Sequence, residues 1–316
     1  MLHKKSLIYN FKKLSKQILK LNLILKIKKI LRSYKLNYPM GKVLTEKQIE
    51  QYQDEGFIAP IRVMSEDKAL KVKERVEEAE KAFPEEFNPE NRNNLHLTFM
   101  VLDELAHNPI ILDAVEDLIG PKFSLWSSVM FIKNPSTEHF VSWHQDATYM
   151  GMSSNDFLTP WIALTPSTEE MGCMSMIPGS HKQNILPHQD TFAENNILTR
   201  GQVVKNVDAK KAVNLILKPG EMSIHHGAVI HGSKPNKSKQ RRIGFALQSY
   251  CPHDINQIIG KNIWMQIRGG KRDDLDGLEL ERPQYDMAPL AVNLRNIANE
   301  NYSNILYDDA KITRNY

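Results

Sequence analysis

From Pro121 onward the 316-residue chain is a series of short apolar runs, each cut off by Gly, Pro, Asn or Ser. The runs cover 123–133, 139–146, 160–165, 172–177, 212–217, 221–231 and 242–250. Runs this short, with turn residues between them, are the pattern of strands in a sandwich or barrel of jelly-roll type. One segment departs from the rhythm. Residues 182–208 are too long and too polar for a hairpin loop, and long loops inside a compact domain are usually lids or insertions.

Ahead of Pro121 the pattern is helical. Thr45 and Gln48 form a Thr-x-x-Gln capping box, so a helix starts there and runs to about Glu55 before Gly56. A short strand follows over 57–61. Ser65 can cap a longer helix with Ala69, Val72, Val76 and Ala79 on one stripe, ending before Pro84. Residues 85–94 read as a loop and 96–105 as an apolar stretch. A further helix runs from about Pro109 to Leu118 and stops at Gly120-Pro121.

Charge divides the chain differently. Residues 1–39 hold 11 basic residues and no acid, leaving 30 basic against 37 acidic residues in the remainder. The remainder is mildly acidic, so the overall charge of +4 is no argument for nucleic-acid binding. Lysines interrupt the leucines of 19–31 too often for a transmembrane span. A basic amphipathic helix on an anionic membrane would fit the segment. A disordered tail, or a natural start at Met40, accounts for it more simply. The domain is therefore expected over 40–290, with 1–39 as an extension and 291–316 as a tail. Composition, at 41% hydrophobic and 25% charged, suits one large core. Two cysteines, Cys173 and Cys251, give no disulfide framework. A reducing setting, the cytoplasm, is the default.

The chemistry begins at Trp143-His144-Gln145-Asp146. Residues two apart on a strand share a face, so His144 and Asp146 can offer a nitrogen and an oxygen to one metal. The best third ligand is His231. Two His and one carboxylate with open positions opposite is the arrangement of non-haem Fe(II) oxygenases. His226 has the wrong parity to share a strand face with His231. His225 has the right parity, but six residues of strand span about 20 Å. If 221–233 and 240–250 form a hairpin about the turn 234–239, His231 faces Arg242 and Ser233 faces Gln240. Arg242 then shares the metal's cavity, and Arg241 points away. A guanidinium grips a carboxylate with two hydrogen bonds, so Arg242 and Ser233 could hold the far end of a dicarboxylate chelating the metal. The dicarboxylate implied is 2-oxoglutarate.

Several stretches together resemble one family. They are residues 143–149, Trp161-Ile162-Ala163-Leu164, Gly172-Cys173, Pro178-Gly179-Ser180-His181-Lys182, His231-Gly232-Ser233 and Arg242. In order and spacing they are similar to the phytanoyl-CoA dioxygenase family over roughly residues 44–252. The resemblance implies a mainly β fold with flanking helices around a double-stranded β-helix (jelly-roll, cupin-like) core. It also implies dependence on Fe(II), 2-oxoglutarate and O2. By position it assigns the metal to His144, Asp146 and His231, and the cosubstrate anchor to Arg242, with Ser233 and Trp161 lining that pocket. His226 falls where the family often has a His, and His181 reads as a residue holding its turn.

The expected reaction is hydroxylation of a small molecule, with release of succinate and CO2. In related halogenases a small residue stands at the position of Asp146 and leaves room for chloride; the carboxylate here argues for hydroxylation. The competing readings are a barrel of this shape that binds a small molecule without turnover, and a cupin using another metal. Substrate selectivity is expected from 85–98, from the segment after Asp146 to about Phe157, and from 182–208.

Overall fold

The computed structural model describes residues 41–272 and 277–310. The basic segment 1–39 lies outside them. Helix α1 (Glu46–Glu55) opens with the expected box: the Thr45 hydroxyl accepts the Gln48 N–H, and the Gln48 side chain accepts the Thr45 N–H. Such a cap stabilises a helix by about 1 kcal/mol. Gly56 closes α1 at φ 84°, a left-handed conformation that a side chain disfavours. Strand β1 (Phe57–Arg62) follows. In α2 (Glu66–Ala82), Ser65 accepts the Lys68 N–H, and Ala69, Val72, Val76 and Ala79 are the buried stripe. Helices α3 (Met100–Ala106) and α4 (Pro109–Ile119) complete the helical layer.

The β region begins with β2 (Phe123–Leu125), β3 (Val129–Lys133) and β4 (Val141–His144). A one-turn helix, α5 (Ala147–Met150), leads to β5 (Leu158–Ala163) and β6 (Met174–Met176). The 182–208 insertion folds into a small ribbon, β7 (His188–Gln189) with β8 (Val203–Val204). Then come β9 (Val213–Asn214), β10 (Glu221–His226), β11 (His231–Ser233), β12 (Arg242–Ala246) and β13 (Tyr250–Pro252). Strands β14 (Asn262–Arg268) and β15 (Gly277–Glu279) precede helix α6 (Pro289–Leu306).

Two sheets result. The major sheet runs β1-β10-β5-β13-β2-β14-β15, with β12 also joined to β5 and β3 to β12. The minor sheet runs β4-β11-β6-β9. All pairs are antiparallel except β14 with β15. Alternation gives the major sheet two different faces. Met130, Ile132, Ile162, Ile224, Ile243 and Phe245 face the helices and join their core. Phe131, Thr159, Trp161, His225 and Ala246 face the other way and line a cavity shared with the minor sheet. The fold is the expected one: mainly β, cupin-like, with helices on the outside of the jelly roll.

Two expectations about local structure fail. First, β11 and β12 are not a hairpin. Strand β11 pairs with β4 and β6, whereas β12 pairs with β3 and β5. The turn 234–239 carries the chain from one sheet to the other, a connection that turn chemistry alone does not distinguish from a hairpin. Second, β10 and β11 are not one strand, because residues 227–230 turn between them. Within the C-terminal segment, helix α6 spans Pro289–Leu306 and buries Ala291, Arg295 and Ala298.

Candidate active site

His144 ends β4, and His231 begins β11 directly across from it. Their rings lie 4.1 Å apart between centroids. Each Nδ1–H donates to a backbone carbonyl two residues earlier, His144 to Ser142 (2.9 Å) and His231 to Val229 (3.0 Å). With Nδ1 carrying the proton, each Nε2 presents a lone pair. Asp146 reaches the same point by an unexpected route. The strand stops at His144, and Asp146 takes right-handed helical angles at the start of α5. That turn brings Asp146 Oδ1 to 3.3 Å from His144 Nε2 and 3.8 Å from His231 Nε2. A first-row metal about 2.1 Å from each donor wants adjacent donors about 3 Å apart. The three residues are buried, and all three ligand atoms lie within 4.8 Å of one another. Among the described residues they are the one such cluster.

Electrostatics prepare the cluster for a cation. Burial works to raise the Asp146 pKa, but the surrounding imidazoles of His231, His144 and His225 outweigh it and hold the carboxyl well below its ordinary range. Burial, then the neighbouring His144, drives the His231 pKa well down, so its imidazole is neutral. Both groups are thus in the protonation state that a metal requires.

His225 stands closer than its place in the sequence suggests. Its ring centroid is 4.6 Å from that of His231, because the two residues occupy different strands. The distance of about 20 Å along a strand assumed one unbroken strand and does not apply. His225 Nε2 lies 3.2 Å from Asp146 Oδ2, and the Thr159 hydroxyl lies 3.4 Å from the same atom. These two hold the second carboxylate oxygen and leave Oδ1 facing both imidazoles. His226 points elsewhere, toward Asp156 (3.4 Å) and the Ala228 N–H. His181 Nε2 donates to the Gln53 carbonyl of α1 at 3.2 Å, tying its loop to that helix.

Behind the Trp161 and Ser233 wall of the cavity lies a basic pair. Arg242 is buried, with its guanidinium 4.7 Å over the Trp161 ring and a hydrogen bond donated to the Gly172 carbonyl. Its Nε has no partner. Gly244 makes room for this stack: a Cβ there would sit 1.8 Å from the indole. Across the strand pair from Arg242 is Lys133, which donates to the Ser233 hydroxyl (2.7 Å) and the Lys234 carbonyl (2.5 Å). Arg242, Ser233 and Trp161 therefore converge although the proposed hairpin is absent. Arg241, on the opposite face, donates to Glu80 of α2.

The cavity has a volume of about 390 Å³. Each segment expected to shape selectivity contributes to its wall: Asn91 and Asn93, Tyr149, and Ile197 with Leu198. Helix α6 is the wall that sequence reasoning missed, through Asn299, Tyr302 and Leu306. Two buried arginines tie the walls together. Arg295 of α6 bonds Glu86 and the carbonyls of Asn91 and Asn93. Arg200 of the insertion bonds Asp190, Asp309 and the Leu306 carbonyl.

Known proteins share this plan. The phytanoyl-CoA dioxygenase (PhyH) family profile matches residues 39–244. A probable alpha-ketoglutarate-dependent hypophosphite dioxygenase from Stutzerimonas stutzeri is 28% identical over 233 residues, covering 68% of this chain and 81% of that protein. The apo structure of the non-heme monooxygenase ThoJ superposes with a TM-score of 0.73 at 27% identity, covering 83% of this chain and 98% of that one. CytC3 with Fe(II) and alpha-ketoglutarate shares the fold, with a TM-score of 0.55 at 20% identity, over 76% of this chain and 97% of that one. The protein is a non-haem dioxygenase that uses Fe(II), 2-oxoglutarate and O2 on a small-molecule substrate. It belongs to the phytanoyl-CoA dioxygenase family.

Proposed function

We propose that this dioxygenase hydroxylates an organic small molecule, with His144, Asp146 and His231 as the iron ligands. Arg242, Ser233 and Trp161 form the 2-oxoglutarate pocket in this reading. The observation that carries it is the pairing of two features. Inside the cavity is an imidazole and carboxylate donor set, and behind its Trp161 and Ser233 wall is a buried guanidinium with no carboxylate partner among the described residues. The donor set suits iron in chemical type, and the guanidinium suits the far carboxylate of 2-oxoglutarate. Bound together, iron and O2 would supply the oxidising power, with 2-oxoglutarate oxidised to succinate and CO2.

The chain's own part is positioning and exclusion of water. His225 and Thr159 fix the Asp146 carboxylate, so that one oxygen serves the metal. Carbonyls of Ser142 and Val229 fix the tautomer of the two His ligands. Because a carboxylate stands at residue 146, hydroxylation is favoured over chlorination. Ile197, Leu198 and Leu306 beside Asn91, Asn299 and Tyr302 suit a substrate with an apolar body and a few polar groups. That description is larger and less polar than hypophosphite, the substrate in the name of the Stutzerimonas stutzeri relative.

The test is succinate release and mass-spectrometric product analysis across metabolite mixtures, with Fe(II) and 2-oxoglutarate supplied. Wild type should add one oxygen to a substrate, and Asp146→Ala should fall to background. Turnover of Asp146→Ala at the wild-type rate would remove Asp146 from the metal site.

A further inference from the structure

We propose that Lys133 is a second cation of the 2-oxoglutarate pocket, gripping the same far carboxylate as Arg242. The inference rests on the proposed role of Arg242 and adds a residue to it.

Three observations lead there. The first is register. Lys133 is the last residue of β3 and lies directly opposite Arg242 on β12. On β3 it shares a face with Val129 and Phe131, which line the cavity. On β12, Arg242 shares a face with Ala246, which lines it as well. Strand alternation therefore sends both side chains toward the cavity side of the major sheet.

The second is contact. The Lys133 ammonium donates to the Ser233 hydroxyl at 2.7 Å, and Ser233 is itself a wall residue of the cavity. The ammonium and the hydroxyl thus meet directly, and the Arg242 guanidinium on the facing strand is near enough for its charge to act on Lys133. A hydroxyl accepting from lysine has its own hydrogen free to donate. A carboxylate placed there would meet three kinds of donor.

The third is charge. Lys133 and Arg242 are both buried, at 2% and 3% exposure. Among the described residues, neither forms an ion pair with a carboxylate, and Arg242 Nε has no partner. Two buried cations side by side are costly unless an anion lies between them. Burial, and then the neighbouring guanidinium, pushes the Lys133 pKa down to about 6. That is the direction expected for an ammonium still waiting for its counter-ion. The far carboxylate of a bound dicarboxylate supplies one.

The experiment compares two cosubstrates on the Fe(II)-loaded protein without oxygen. 2-Oxoglutarate and 2-oxobutyrate chelate through the same keto acid end, but 2-oxobutyrate lacks the far carboxylate. Binding is measured by calorimetry, so no turnover is needed. Wild type should strongly prefer 2-oxoglutarate. Lys133→Met should weaken 2-oxoglutarate by about 10- to 100-fold, the range for a hydrogen bond to a charged group. Its affinity for 2-oxobutyrate should stay within about twofold, since the lost charge has nothing to bind there. If Lys133→Met does not fold, Lys133→Gln, a neutral donor, serves for the same comparison. Unchanged 2-oxoglutarate affinity would overturn the proposal. Equal weakening for both ligands would also overturn it, because Lys133 would then only prop Ser233. Wild type that binds both ligands alike would instead remove the cosubstrate role of Arg242 beneath it.

Discussion

At the scale of single residues, the site depends on which atom of each side chain is left free. The Asp146 carboxylate has two oxygens, and His225 with Thr159 takes one. Partners of this kind orient metal ligands, and their loss typically costs 10- to 100-fold in metal affinity, roughly the effect expected here. His225→Ala should therefore lower Fe(II) affinity about 10- to 100-fold, and His225→Gln, which keeps a donor, should recover part of it. Anaerobic metal titration reads both, and an unchanged Ala variant would deny His225 this role. The His-x-Asp pair could be proposed from the sequence because its chemistry is tied to residue type and short spacing, whereas Arg242 was singled out by the family resemblance and by a hairpin that the structure does not contain. His225 was not legible there, because its nearness to His231 depends on the turn at 227–230. Lys133 left a weaker trace that could have been used: a lysine in phase with Val129 and Phe131 at the end of an apolar run.

At the scale of elements, the cavity is walled by pieces distant in the sequence and pinned to each other by arginine. Arg295 joins α6 to the loop at 86–93. Removing one partner of such a buried network leaves a partly buried charge unanswered, a loss of about 3 kcal/mol. Arg295→Ala should lower the denaturation midpoint accordingly and also weaken substrate binding, since both tethered segments face the cavity. A variant with lowered stability but an unaltered substrate KM would show that α6 is not a substrate wall. Periodicity gave the existence of most elements, including the capped helices α1 and α2. It did not give their partners. Strand pairing is non-local, so a turn-rich hexapeptide looks the same whether it closes a hairpin or crosses between sheets. Helix α6 was overlooked for a related reason. Its sequence is weakly periodic, and polar contacts from Arg295, Asn299 and Asn301 hold it alongside a narrow apolar stripe.

At the scale of the whole molecule, burial of histidine makes stability depend on pH. His96 is buried, donates to or accepts from Ser128 Oγ at 2.7 Å, and leaves Nε2 without a partner. Burial is the main cause of a pKa lowered from 6.5 to about 3. Burial lowers the values for His188, His226 and His231 as well. Below pH 6.5 the unfolded chain takes up protons that the folded chain refuses, so stability falls as pH falls. For His96 the loss continues until about pH 3, where the folded form also protonates. The melting temperature of the metal-free protein should therefore drop steadily between pH 7 and 5, and His96→Met should flatten the slope. A melting temperature that rises over that interval would contradict the buried, neutral state of His96.

Helix α6 also bears on how the protein can be handled. Leu306 lines the cavity, its carbonyl is held by Arg200, and Asp309 shares that arginine. Asp308 is exposed and only two residues past that wall residue. A bulky group attached at Asp308 would load the binding chamber mechanically. A fluorophore attached there would in turn report when the chamber fills.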